Sequence, residues 1–187
     1  MQKSNIAENG FVGWVEDAAK GRHDAFARLY QQFSGAMYNV CIRMVREKSL
    51  AEDLLQEAFL TAFDNLKNLR EPARFGGWLK QITVRKCIQS VAHQYDFSTL
   101  QEHHEHSMEA QDDHWWDGIS MAEIQSAIKE LPDGCRQIFN LYAVEDYSHR
   151  EIAELLRISE STSKSQYHRA KGLLRNKLSQ YIKTLRN

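Results

Sequence analysis

From Ser148 to Lys171 the chain reads SHREIAELLRISESTSKSQYHRAK, and the reading of this stretch decides the fold. Ser148 with Glu151 three residues later is a capping-box pattern that opens a helix. Ile152, Ala153, Leu155 and Leu156 give that helix one apolar side, and Arg157, Ile158 and Ser159 turn the chain. The hydroxyl-rich run after the turn is unusual for a helix, because Ser and Thr compete for backbone hydrogen bonds and favour caps over interiors. Yet Tyr167, Ala170, Leu174 and Leu178 keep helical spacing and should pack inward. Two helices joined by a tight turn, the second polar and basic at its start, predict a helix-turn-helix. Ala153 is small where the helices must cross, and Ile158 plugs the angle between them. Thr162, Ser163, Gln166 and Arg169 are then expected to stand available on the outer side, where hydroxyls, amides and cations reach base edges or phosphates. A solvated helix face is the plainer reading, and the capped partner helix, the turn and the one-sided charge weigh against it.

Outward from this unit the same periodicity continues. Met121, Ile124, Ile128 and Leu131 form a helical stripe that stops at Pro132, and Ile138, Phe139, Leu141 and Tyr142 mark another. Upstream, YDFSTLQEHHEHSMEAQDDHWWDG, Tyr95 to Gly118, has no sustained apolar period; it reads as an acidic, His-rich, flexible linker. Before it, Phe26, Leu29, Tyr30, Phe33, Met37, Val40, Cys41 and Met44 predict one long helix from about Asp24 to Arg46. Ser49 with Glu52 repeats the capping-box pattern, and Leu54, Leu55, Ala58, Phe59, Ala62, Phe63 and Leu66 give the next helix its buried face. Pro72 marks a turn. Phe75 to about Val91 reads as helix despite Gly76 and Gly77, with an apolar stripe that shifts face after Ile82, and a short helix around Phe11 to Ala19 precedes the group. The expected fold is all-α: two small helical domains, 1–94 and 119–187, joined by a linker at 95–118.

Composition narrows the class. No apolar run reaches the length of a membrane span, and MQKSNIAENGF lacks a signal-peptide pattern, so a soluble chain with no membrane insertion, working in the cytoplasm, is expected. Cys41, Cys87 and Cys135 are widely spaced and form no CxxC pair, which argues against a disulfide framework or a thiolate zinc site. The net charge of −1 conceals segregation. Residues 95–118 carry seven acids and no Lys or Arg, whereas from Glu160 onward Lys164, Arg169, Lys171, Arg175, Lys177, Lys183 and Arg186 face one acid, Glu160 itself.

The ordered motifs resemble regions two and four of the sigma factors of bacterial RNA polymerase, in the compact extracytoplasmic-function (ECF) group. They are AEDLLQEAFLTAF (Ala51–Phe63), FGGWLKQI (Phe75–Ile82), ELPDGCRQIFNLY, YSHREIAELL and STSKSQYHRAK, covering most of the chain. On the Ala51 helix, Asp53, Gln56, Glu57 and Leu60 form a second stripe, an exposed leucine among acids. The resemblance makes it the contact with core RNA polymerase, where complementary charge would orient docking. In the tryptophan motif, Lys80, Gln81, Arg85 and Lys86 join Trp78 as candidates for the minus-ten element, since single-strand binders pair cations with aromatic surface. Core packing of Phe75, Trp78, Leu79 and Ile82 is the plainer reading of the rings. The resemblance also places a pocket for a flipped minus-ten base in the loop Asn65 to Arg74. It assigns Ser161, Thr162, Ser163, Lys164, Gln166, Arg169 and Lys171 to minus-thirty-five promoter DNA. Relatives often carry Gly at Arg157, where arginine needs a less favourable turn conformation; they also often carry Val at Ser163, Arg at Gln166 and Asn at Arg85, and with Gln166 and Arg85 base preference is expected to differ here.

The function implied is promoter-specific transcription initiation, with no enzymatic activity, no cofactor and no metal; an anti-sigma factor is an optional further partner. A stand-alone helix-turn-helix regulator would explain the second half and leave the Asp53 stripe idle. A metal-responsive sensor would use His103, His104, His106 and His114 with Glu105 and Asp113, although no HExxH pair supports it. Trp115 and Trp116 are read as anchors of the linker.

Overall fold

The computed structural model describes residues 10–92, Phe97, Leu100 and 119–185, with side chains through Ser179. The linker's histidines, Trp115 and Trp116 therefore lie outside the described residues. The chain divides into two compact units, Met1–Val91 and Ala92–Asn187, and the elements among the described residues of each are helices.

The first unit holds α1 (Val12–Ala19), α2 (His23–Val45), α3 (Lys48–Asp64) and α4 (Phe75–Ala92). Between α3 and α4 the chain makes two short 3₁₀ turns, Leu66–Asn68 and Pro72–Arg74, and α1 packs against α2 and both turns. Most of each predicted stripe is buried, Leu29, Met37, Val40, Cys41 and Met44 from α2 and Ala51, Leu54, Leu55, Ala58, Phe59 and Ala62 from α3; Phe26, Phe33 and Phe63 are half-buried, Tyr30 is exposed, and Leu66 is buried in the 3₁₀ turn beyond α3. Each large apolar side chain so buried contributes about 1.5–3 kcal/mol.

The break in the α4 stripe has a physical explanation. Phe75, Leu79, Thr83, Val84, Cys87, Ile88 and Val91 are all buried, so Thr83 carries the stripe across the gap. Its hydroxyl donates to the Leu79 carbonyl at 2.9 Å and lies 3.4 Å from the Met37 sulfur. A threonine that satisfies its own oxygen one turn back behaves as an apolar residue on the outside. Nearby, the Phe33 and Phe75 rings meet edge to face at 5.2 Å, and Gly76 lets them do so: a Cβ there would sit 2.9 Å from the Phe33 ring.

The expected capping box at Ser49 is corrected. Helix α3 starts at Lys48 with Glu47 as its N-cap, and no side chain caps it. Ser49 lies inside the first turn and donates its hydroxyl to the Glu47 carboxylate at 2.6 Å. Arg46, in a positive-φ conformation, ends α2 directly before Glu47.

The second unit holds α5 (Met121–Lys129), α6 (Asp133–Phe139), a π-helical turn (Asn140–Val144), α7 (His149–Leu156) and α8 (Glu160–Leu185). Both Ser148–Glu151 and Ser120–Glu123 form complete capping boxes; the second has the same S-x-x-E spacing as the first, a cap that the sequence reading does not include. Helix α8 packs against α5, α6 and α7, with a core of Ala127, Leu131, Cys135, Ala170, Leu174 and Leu178.

Candidate nucleic-acid and polymerase interfaces

The turn between α7 and α8 is built as the sequence reading requires. Arg157 adopts the left-handed conformation (φ 57°, ψ 45°), and the Ile158 amide donates to the Ala153 carbonyl at 3.1 Å. The Arg157 amide donates to the same Ala153 oxygen, and this shared carbonyl closes α7 and sets the chain on the path into α8. Ser159 then caps α8: its hydroxyl accepts from the Thr162 amide at 2.9 Å and lies 2.7 and 2.8 Å from the Ser161 and Thr162 hydroxyls. The hydroxyl richness of this stretch thus serves the helix start first.

Three residues expected to stand available on α8 are turned inward. Thr162, Ser163 and Gln166 are 6%, 0% and 1% exposed. With Ala170, Leu174 and Leu178 they form one stripe at helical steps of three and four, which polar side chains disguise in the sequence. Each is held by a polar partner: Thr162 by Ser159, Ser163 by His149 Nδ1 at 2.9 Å, and Gln166 Oε1 by the Cys135 thiol at 3.1 Å. The outward side of α8 instead presents Ser161, Lys164, His168 and Lys171, with Ser165 and Arg169 half-buried at its edges. The sequence reading does not include His168; its place three residues before Lys171 and four after Lys164 is the signal that identifies it. Lys164 pairs with Glu160 at 2.6 Å, and this ammonium holds the Glu160 carboxyl below its usual range. Lys171 lies 5.8 Å from the Tyr167 ring, within cation–π reach.

An aromatic group lines the seam between the π turn, α7 and α8. His149 stacks on Tyr142 at 4.2 Å with planes 14° apart, and Tyr167 meets both rings. Burial, then the neighbouring Lys164, keeps His149 below its ordinary pKa of 6.5 against an opposing pull from Glu160. Burial, then Tyr142, raises that of Tyr167.

In the first unit, Asp53, Gln56, Glu57 and Leu60 all lie on the exposed side of α3, and Leu60 is 63% exposed. A groove of about 430 Å³ adjoins them, lined by Tyr30, Tyr38, Glu52, Leu55 and Gln56 among others, a feature the sequence reading does not include. On α4, Gln81 and Arg85 are exposed, whereas Trp78, Lys80 and Lys86 are half-buried. Trp78 lies 6.2 Å from Phe75, which is fully buried and belongs to the core. Lys86 reaches back to Glu57 at 3.2 Å, so the two sequence-predicted sites of this unit touch at that ion pair. Among the described residues no group of three His, Cys, Asp or Glu could hold a metal ion, and no helix is long and apolar enough to cross a membrane.

Residues 29–95 match the family described as Sigma-70 region 2, and residues 121–174 match Sigma-70, region 4; the two take in more than half of the chain. The chain is 27% identical to the ECF RNA polymerase sigma factor SigW of Bacillus subtilis, covering 88% of this chain and 94% of that one. It is 28% identical to the RNA polymerase sigma factor CarQ of Myxococcus xanthus, over 88% and 95% of the two chains. Its fold is similar to that of the sigma factor RpoE of Bartonella quintana, solved in complex with the anti-sigma factor NepR. There the TM-score is 0.52 at 17% identity, covering 82% of this chain and 96% of that one.

Proposed function

This chain belongs to the sigma-70 family as an ECF sigma factor directing transcription initiation, and from that premise we propose how its surfaces divide the work. Helix α3 docks on core RNA polymerase through Asp53, Gln56, Glu57 and Leu60. The exposed Leu60 carries this reading: an isolated surface leucine amid acids, beside a groove, is what a partner with an apolar spot ringed by cations would cover. Gln81 and Arg85, with Lys80, Lys86 and the edge of Trp78, face the minus-ten strand; Lys86 exchanges Glu57 for phosphate when DNA arrives. The loop from Asn65 to Arg74 receives the flipped base.

In the second unit, α8 enters the major groove of the minus-thirty-five element with Ser161, Lys164, Arg169 and Lys171. Cations at this edge position the helix on phosphates, and side chains at its start read bases. The domains divide as 1–94 and 119–187, joined by the acidic segment 95–118. The factor works in the cytoplasm as an initiation factor rather than an enzyme. An anti-sigma factor that shields α3 would hold it inactive.

Core RNA polymerase supplemented with this chain should start transcripts at a defined set of sites sharing two upstream elements, read by sequencing the RNA. A chain that binds duplex operators yet starts nothing with core polymerase would point instead to a stand-alone regulator.

A further inference from the structure

The inward side of α8 carries polar groups where packing alone would call for apolar ones. Ser163 is completely buried, four residues into the helix, and its hydroxyl partner is His149 Nδ1 at 2.9 Å, on the first residue of α7. A buried hydroxyl without a partner is costly, so at best the pair offsets its own burial and adds little net stability. Such pairs are better at fixing register than at adding stability, because a hydrogen bond tolerates far less displacement than an apolar contact. The imidazole is itself held in place. Tyr142, delivered by the π turn, stacks on one face, and Tyr167 meets the ring edge-on at 5.6 Å. The bond therefore joins a fixed ring on α7 to α8 at the residue adjoining Lys164.

We propose that His149 is a positioning residue: through Ser163 it fixes the rotation of α8 about its own axis, and so the base preference of the outward residues. Rotation by one residue would be 100° and would replace Ser161, Lys164 and His168 on the outer side with their neighbours. The buried Gln166–Cys135 contact one turn further on is a second polar pin of the same kind. Neither His149 nor Ser163 need touch DNA. This inference rests on the reading that α8 binds the minus-thirty-five element, and a titration of the holoenzyme separates the two.

Holoenzyme assembled from the full chain and core polymerase is titrated with two duplexes. One is the minus-thirty-five region of the promoter that the wild-type factor selects in transcript sequencing; the other is a scrambled version. H149A and S163A should each reduce the ratio of the two affinities on the order of tenfold, and the double variant should lose no more than either single one. H149N, which returns a hydrogen-bonding atom to the Nδ1 position, should restore most of the ratio. The salt dependence of binding to the scrambled duplex should be the same in all variants, since no phosphate contact has been removed. A merely structural role would lower the melting temperature, leave the ratio intact below melting and show no rescue by Asn. If the wild type prefers its promoter duplex and H149A, H149N and S163A all keep that preference, the positioning role is overturned while the DNA reading stands. If the wild type shows no preference, the DNA reading of α8 falls and the positioning role falls with it.

Discussion

At the scale of single residues, Arg157 shows a local conflict and its cost. It is the left-handed residue that ends α7, a place where a side chain costs roughly 1–2 kcal/mol relative to the right-handed basin. Glycine there would remove that strain while giving the unfolded chain more freedom. Arg157→Gly is expected to stabilise the protein by about 0.5–1 kcal/mol, read as a rise in the denaturant midpoint at constant slope; a fall would show that the arginine makes a compensating contact. His149 gives a second prediction. Burial, and then Lys164, lower its pKa in the folded state from an ordinary 6.5, with His168 acting in the same direction and Glu160 against it. The unfolded chain therefore binds the proton more readily. Stability is full above pH 6.5 and falls as the pH drops from there through the folded value. Thermal melts from about pH 7.5 down to about pH 5 should show this decline, and the His149→Asn variant should show a shallower one; identical slopes would mean that the imidazole does not titrate differently on folding.

At the scale of helices, periodicity was legible in the sequence and polarity in buried places was not. The extents of α2 and α4 follow from apolar spacing, while that of α3 misses at both ends, since it starts at Lys48 and stops at Asp64 before Leu66. Thr83 breaks the α4 stripe only on paper, since its hydroxyl is satisfied within the helix. The same blindness hides the inward side of α8, where Thr162, Ser163 and Gln166 look like surface residues and are held by buried partners. Ser49 fails in the opposite sense: its spacing to Glu52 matches a capping box, but Arg46 and Glu47 start the helix too early for it. A hydroxyl's partner is a tertiary fact that spacing does not carry. The α3 surface can be tested as an element. Because Glu57 is tied to Lys86, reversing Glu57 would also disturb α4, so Asp53→Lys with Leu60→Ala is the cleaner pair. Both positions are exposed, and helicity and melting temperature should change little. Binding to core polymerase, followed by co-purification or anisotropy, should weaken by at least an order of magnitude. Unchanged affinity would move the polymerase contact off this side of α3.

At the scale of the whole molecule, the assignment puts polymerase docking in one compact unit and duplex recognition in the other, and this makes their losses separable. Lys164 is exposed, its ion pair with Glu160 lies within one helix, and solvent screens such exposed pairs so that they add little to stability. Lys164→Ala should thus leave folding and core binding intact. If its ammonium displaces a counterion from a phosphate, the slope of log affinity against log salt for the promoter duplex should become shallower by about one. The Asp53→Lys, Leu60→Ala chain should behave in reverse, with normal duplex affinity and salt slope but little promoter-directed RNA. Combining the two sets of changes should then abolish initiation without altering the melting profile beyond the sum of the separate effects, because the two sets belong to different compact units and the effects of independent sites add. Loss of core binding in Lys164→Ala, or of duplex affinity in the α3 variant, would show that neither surface acts alone, and the division of labour proposed for this sigma factor would have to be redrawn.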